Sequence, residues 1–428
     1  MNEISKSTRR RFLAQSAPLV GGMLGACALG VATAQPSLAP LRLGLPFPFT
    51  GRFASYGESV GPGVELAARL VNEAGGIRAL RGARIEIVRG DTRGDPKVTG
   101  SVIERMKLDD KVDGIVGVFS SVESTSSAAL ADQYRMPFVS PTLISEKSYE
   151  LRLRYARNLN LTATAYASGV LEFTKHLQST RSLRVRRVAL IYDGGEYGRS
   201  IVSVLKPGLQ SAGLELVLDL PFTPPVTDFT PQVLRLKESG ADILACGFFF
   251  PDSALFAKAM DVLGVHIPVV GFGGFADARL PGHLGQEVAS RFLARNLVFN
   301  VVGVSEGVRY APLQRLLNAA ERQRLSFGDS PNALELNWFG LGAQAVFTFA
   351  AAFQAAADRD GTAVNEAMRR GLNLRHGDEQ LIVPFYRPEL AWDDVGRPLN
   401  QRALMMQWQA GKRVVVFPSE MAASEPRI

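Results

Sequence analysis

The chain has 428 residues, 46% of them hydrophobic, with 48 Lys and Arg against 41 Asp and Glu and a net charge of +7. That length exceeds one ordinary core and suits two lobes. The basic residues are scattered, which argues against a nucleic-acid stripe, and the four histidines, His176, His266, His283 and His376, stand apart from one another and from any metal or catalytic partner.

The chain opens on Arg9, Arg10 and Arg11, followed by an uncharged apolar stretch over 12–31 and then Ala32-Thr33-Ala34. A basic start, an apolar middle and small residues at the end form a cleavable export signal. Ser7-Thr8-Arg9-Arg10-Arg11-Phe12-Leu13 resembles a twin-arginine signal. Residues 1–34 are therefore expected to be a signal peptide cut after Ala34, and the mature protein to be periplasmic. A retained membrane anchor is the competing reading, and the Gly and Pro within the stretch weigh against it. So is lipidation of Cys27 in Leu24-Gly25-Ala26-Cys27, although apolar residues follow where a polar tether is usual. Lys6, Arg9, Arg10 and Arg11 against Glu3 leave with the signal, so the mature charge is about +4. Cys246 then stands alone, excluding an intrachain disulfide, and its apolar neighbours predict a buried, inert thiol. No later run is expected to approach the roughly 20 apolar residues of a spanning helix.

From residue 41 the pattern alternates. Residues 41–45 predict a strand ending at Pro46, 48–57 a turn-rich loop, and 63–72 a helix with Val64, Leu66, Ala67, Leu70 and Val71 at helical spacing, stopped by Gly75-Gly76. Strands follow at 84–88, 114–118 and 137–139, with helices at 96–107 and 124–134. The alternation restarts with strands at 187–192, 214–218, 242–246 and 267–270, separated by helices near 198–212, 230–239 and 252–263. A long apolar helix is predicted over 334–357 and a shorter one over 362–371. Residues 403–408 and 413–417 read as an antiparallel pair around Gln409-Ala410-Gly411-Lys412. The β-α-β order implies parallel sheets flanked by helices, an α/β class, with ligands gathering at the carboxyl ends of the strands.

Several segments carry a family likeness. They are Thr50-Gly51-Arg52-Phe53-Ala54-Ser55-Tyr56-Gly57, then Glu65-Leu66-Ala67 through Asn72-Glu73-Ala74-Gly75-Gly76-Ile77, then Ile191-Tyr192-Asp193 with Glu196-Tyr197-Gly198. The set ends with Trp392-Asp393-Asp394-Val395-Gly396-Arg397 and Gln407-Trp408-Gln409-Ala410-Gly411-Lys412. In this order and spacing they resemble the leucine/isoleucine/valine-binding-protein family, the type I periplasmic binding proteins of branched-chain amino acid ABC transporters. The resemblance implies two Rossmann-like lobes joined by three crossings: lobe 1 over 41–156 and 299–401, lobe 2 over 157–298 and 402–420. It implies capture of a small ligand (a carboxylate, an amide or an amino-acid-like molecule) in the cleft, closure of the hinge, and delivery to an ABC permease. Neither catalysis nor a cofactor or metal is implied.

The resemblance also implies five ligand-binding residues. Tyr56 covers the ligand. Ser121 and Thr142, in loops after first-lobe strands, hold its carboxylate, and Tyr197 and Phe250 close over it from the second lobe. Hydroxyls beside free N–H groups at a helix start suit an anion, although Ser and Thr there also serve as plain caps. Of Phe248-Phe249-Phe250, only Phe250 is expected to face the cleft. Amino-acid-binding members of the family carry an acid where this chain has Gly273, with Asp277 four residues on. A buried ammonium without a counter-charge is unfavourable by several kcal/mol, so the expected ligand is not a standard α-amino acid. A sensory subunit feeding a receptor or histidine kinase would have the same lobes, and a purely structural exported protein is a third reading.

Overall fold

Two sheets carry the chain. The computed structural model describes residues 39–428 apart from 181, 182, 306, 329 and 331; the expected signal peptide, its twin-arginine motif and Cys27 lie outside the described residues. The strands are β1 Leu41–Phe47, β2 Ile85–Asp91, β3 Gly114–Val116, β4 Phe138–Ser140, β5 Ala156–Asn158, β6 Arg187–Asp193, β7 Glu215–Phe222, β8 Ile243–Gly247, β9 Val269–Gly271, β10 Phe299–Val302, β11 Leu404–Gln409 and β12 Lys412–Phe417. The first sheet runs β2-β1-β3-β4-β5, all parallel. The second runs β12-β11-β10-β9-β8-β6-β7, parallel from β10 to β7 and antiparallel through β10, β11 and β12. Leu41, Leu43, Leu45 and Phe47 are fully buried, as expected of a parallel strand covered on both faces.

The helices are α1 Ala54–Glu73, α2 Pro96–Leu108, α3 Ser121–Gln133, α4 Lys147–Glu150, α5 Ala163–Ser179, α6 Glu196–Ser211, α7 Thr230–Ser239, α8 Phe250–Val262, α9 Leu280–Leu284, α10 Gln286–Arg295, α11 Ala311–Arg322, α12 Leu336–Ala356 and α13 Gly361–Arg370. The 21-residue α12 corrects the expectation that no later run reaches spanning length: by length and composition it does. It is a core helix, buried along most of its length against α1. The two backbones approach so closely that a Cβ at Gly63 would stand 2.1 Å from the Phe339 carbonyl oxygen, and one at Gly342 would stand 2.8 Å from that of Val60.

Two boundaries differ from expectation. Helix α1 begins at Ala54 instead of 63, which moves Tyr56 from a loop into the first helical turn. Strand β10 pairs in the second sheet, Phe299 with Val270 and Asn300 with Gly271, so the return to the first sheet falls after residue 302 and not at 299. Likewise Arg157 and Asn158 still pair with β4, so the first crossing follows 158. The pieces 155–162 and 386–401 are tied at these crossings. Trp392 Nε1 donates to the Asn158 carbonyl (2.6 Å), Tyr386 Oη to that of Leu159 (2.9 Å), and Gln401 Nε2 to that of Asn160 (2.7 Å).

Candidate ligand-binding site

Strand order puts the site where it is. In the first sheet the chain leaves β1 toward opposite neighbours, β2 and β3; in the second it leaves β6 toward β7 and β8. Loops diverge at such switch points and open a crevice beyond the carboxyl ends of the strands. One cavity lies between the two sets of strand ends, the place where such folds hold small molecules. From the first-sheet side it is lined by Tyr56, Phe119, Ser121, Thr142 and Trp338, and from the second by Tyr197, Phe249, Phe250, Gly273 and Asp277, among others. All five residues inferred from the sequence, Tyr56, Ser121, Thr142, Tyr197 and Phe250, are thus brought to one cavity.

The walls are aromatic. Tyr56 lies tilted against Phe119 at 4.1 Å and meets Trp338 edge-on at 5.4 Å, and Tyr197 lies 5.1 Å from Phe249. Phe53 and Phe249, 5.0 Å apart, face each other from the two sides of the cleft. Phe248, Phe249 and Phe250 all line the cavity, so the expectation that only Phe250 does so is too narrow. The backbone changes from extended to helical at Phe249; the Phe249 ring meets Phe53, Tyr56, Phe119 and Tyr197, while the Phe248 ring packs among Phe222, Phe229, Phe256 and Phe275. Phe119, Phe249, Asn337 and Trp338 were not anticipated; Trp338 falls within the first turn of an apolar helix and reads in sequence as core.

The polar groups differ in what remains free. Helix α3 starts with a capping box: Ser120 Oγ accepts from the Glu123 N–H, and Glu123 accepts from the Ser120 N–H at 3.1 Å. With Ser120 occupied as the cap, the Ser121 hydroxyl and the N–H groups of Ser121 and Val122 have no partner among the described residues. The Thr142 hydroxyl, by contrast, donates to the Val118 carbonyl and is turned toward the neighbouring loop after β3. Tyr197 donates to the Phe272 carbonyl, and Tyr56 accepts the Phe250 N–H at 2.9 Å, keeping its own proton free. Burial pushes both phenols above their ordinary range, so they stay protonated. Asn337 holds the Val304 N–H with Oδ1 at 2.9 Å, while its NH₂ and the Trp338 indole N–H have no acceptor among the described residues. Donors therefore outnumber free acceptors, and the helix starts of α1, α3, α6, α8 and α12 all supply lining residues. This arrangement favours an electron-rich, anionic group.

The two sides also touch outside the cavity. Arg52 bridges to Asp252 at 2.5 Å, Thr125 donates to Glu196 at 2.7 Å, and the Glu146 N–H donates to Ser200 at 3.1 Å. Cys246, in β8, is buried and free, and burial pushes its thiol well up.

Two parallel-sheeted halves closing on an aromatic, donor-rich cleft define a solute-binding protein of the type I periplasmic class. The chain belongs to the periplasmic binding protein family, whose model matches residues 40–412. Leu/Ile/Val-binding protein homolog 7 of Brucella melitensis is 26% identical over 406 residues, covering 93% of this chain and 96% of that protein. Homolog 8 of Brucella abortus is 25% identical over 416 residues, 96% of this chain and 98% of that one. Among solved structures, the branched-chain amino acid transporter substrate-binding protein LivJ of Streptococcus pneumoniae, in complex with isoleucine, superposes with a TM-score of 0.72 at 19% identity, covering 89% and 100% of the two chains. A solute-binding protein of an ABC transporter from R. palustris, in complex with benzoate, gives 0.72 at 16% identity, covering 90% and 98%. The solved structures show the shared fold.

Proposed function

We propose that this chain is exported, captures a small carboxylate with an apolar or aromatic body in its cleft, and delivers it to an ABC permease. The observation that carries the ligand class is the start of α3. A hydroxyl and two N–H groups there lack partners among the described residues, at the positive end of a 13-residue helix and beside an aromatic cavity. A carboxylate would seat on Ser121, with Tyr56, Phe119, Phe249 and Trp338 around the rest of the molecule. Thr142 shapes the wall through its backbone and methyl group, and Tyr197 and Phe250 cover the ligand from the second side. The reading is supported by fold neighbours solved in complex with isoleucine and with benzoate, both of which carry a carboxylate.

The permease partner follows from the family, as does a hinge that closes on the ligand. The lobes fit best as 39–158 with 303–401, and 159–302 with 402–420. Export rests on the Arg9-Arg10-Arg11 signal, and N-terminal sequencing of the exported protein should then begin at Gln35. The ligand reading is tested by calorimetry with a panel of small carboxylates, after native mass spectrometry of the fresh protein has shown which mass it retains. Ser121→Ala should weaken carboxylate binding about 10- to 100-fold, since a hydrogen bond to a charged group is worth about 1.5–3 kcal/mol. Unchanged affinity in that variant would remove the carboxylate from α3.

A further inference from the structure

The cavity contains two carboxylates, and both are already matched by arginines. Asp277 Oδ1 accepts from the Arg279 backbone N–H at 3.0 Å and from its Nε at 2.8 Å, and Oδ2 accepts from Nη2 at 2.6 Å. Both side chains are 3% exposed. Glu335 accepts from Arg413 Nη1 at 2.7 Å, from the Ala278 N–H at 2.7 Å and from the Asn337 N–H at 3.2 Å. The Arg279 guanidinium is fixed further by the Phe250 ring beneath it at 4.9 Å and by the Ser55 carbonyl, 3.4 Å from Nη1. No third acid fits on the loop after β9. A Cβ at Gly273 would lie 2.2 Å from the Tyr197 hydroxyl and 2.5 Å from the Phe248 carbonyl oxygen.

We infer that Arg279 determines the specificity of the cleft: its guanidinium, not itself part of the cavity lining, is a built-in cation that takes up the carboxylate Asp277 would otherwise offer to a ligand's ammonium group, so the protein takes carboxylates and rejects their α-amino counterparts. The inference rests on the carboxylate reading and sharpens it. An ammonium leaving water for this aromatic cavity needs an anion to meet it, or the transfer is unfavourable by several kcal/mol. Asp277 is in position to be that anion, since it lines the cavity. Its oxygens are taken by a planar fork of matching geometry. The fork is attached only two residues along the chain, so it competes at an effective concentration that no free ligand reaches. Glu335 is paired with Arg413 of β12. The cleft therefore balances its own acids and leaves its free donors, those of α3 among them, to select charge.

Matched pairs differing only in the α-ammonium group test this: 3-phenylpropanoate against phenylalanine, and 4-methylpentanoate against leucine. Calorimetry on the mature full-length protein should give the ammonium-free member an advantage on the order of 100-fold in the pair that fits. Arg279→Met frees Asp277 and should raise affinity for the amino acid at least about tenfold relative to its partner. Asp277→Asn/Arg279→Met removes both charges and should lose that gain. A purely structural role for Arg279 would weaken both members equally and leave the ratio unmoved. Should Arg279→Met fail to fold by circular dichroism, Arg279→Gln is the second variant, with the same expected change in ratio. Equal binding of both members by the unaltered protein, or a folded Arg279 variant with an unchanged ratio, overturns the inference. Failure of the unaltered protein to bind any of the four overturns the carboxylate reading beneath it.

Discussion

At position 273 the cavity wall admits a hydrogen atom and nothing larger. The Tyr197 hydroxyl and the Phe248 carbonyl oxygen occupy the space a side chain would need, and the hydroxyl is anchored by its bond to the Phe272 carbonyl. Gly273→Ala should therefore destabilise the protein by about 1–3 kcal/mol, the usual range for overpacking, with a lower melting temperature and weaker ligand binding. An unaltered melting curve would mean that the loop after β9 yields freely. The same residue shows how far a sequence can be read. Gly273 stood out because family members with amino acid cargo carry an acid there, but that its place is held by Tyr197 follows only from the fold. Asp277 and Arg279, two residues apart, look like an ordinary solvated pair until both prove buried at the cavity. The place of Ser121 at the cavity was legible through the family resemblance, since a Ser-rich segment after a strand and before a helix reads by itself as plain capping. Phe249 was not, because among three adjacent phenylalanines nothing in the residues says where the backbone turns helical.

At the scale of elements, the crossing of α1 and α12 sets the position of Tyr56 and Trp338. Gly57, Gly61, Pro62 and Gly63 resemble a helix breaker, which is why residue 63 was the expected helix start. Tertiary packing overrides that local preference: Gly57 fits against the Pro48 carbonyl, Gly61 beside Arg89 and Phe49, and Gly63 against the Phe339 backbone of α12. Gly63→Ala decides between two opposed effects. Alanine favours a helix interior by about 1 kcal/mol over glycine. Its Cβ would meet the Phe339 backbone oxygen at 2.1 Å, however, and a backbone inside a packed helix cannot give way. The clash should win, leaving the variant about 1–3 kcal/mol less stable; urea unfolding would measure it, and a more stable variant would refute the packing argument. The alternation of strands and helices and the antiparallel β11–β12 pair were legible from period and turn residues. Strand β10 was not, since four buried residues at a crossing carry no turn signal to show which sheet they join.

Over the whole molecule, the contact between Arg52 and Asp252 links the two sides of the cleft and gives closure a dependence on pH. Asp252 is almost fully buried, and this burial, with Asp193 close by, pushes its carboxyl up to about 6 despite the Arg52 bridge. In the unfolded chain, or with the lobes apart and the group in water, its value is about 3.9. A carboxyl raised in the folded state contributes stability below its unfolded value and loses that contribution as pH rises through the folded one. The window therefore runs from about 4 to about 6, and a shift of about 2 units bounds the effect at about 3 kcal/mol. Other acids, such as Asp242 and Glu366, are held below their ordinary range by hydrogen bonds from arginines or backbone N–H groups and act in the opposite sense at lower pH. The comparison with Asp252→Asn isolates the one group: the unaltered protein should lose stability relative to the variant between pH 4.5 and 6.5 and run parallel to it above 7. If ligand binding draws the lobes together, closure also takes up a proton near pH 6, and affinity should strengthen from pH 7 to pH 5 in the unaltered protein and not in Asp252→Asn. Calorimetry in buffers of different ionisation enthalpy reads that proton directly, and binding without proton uptake at pH 5.5 would show that Asp252 is as buried in the open protein as in the closed one.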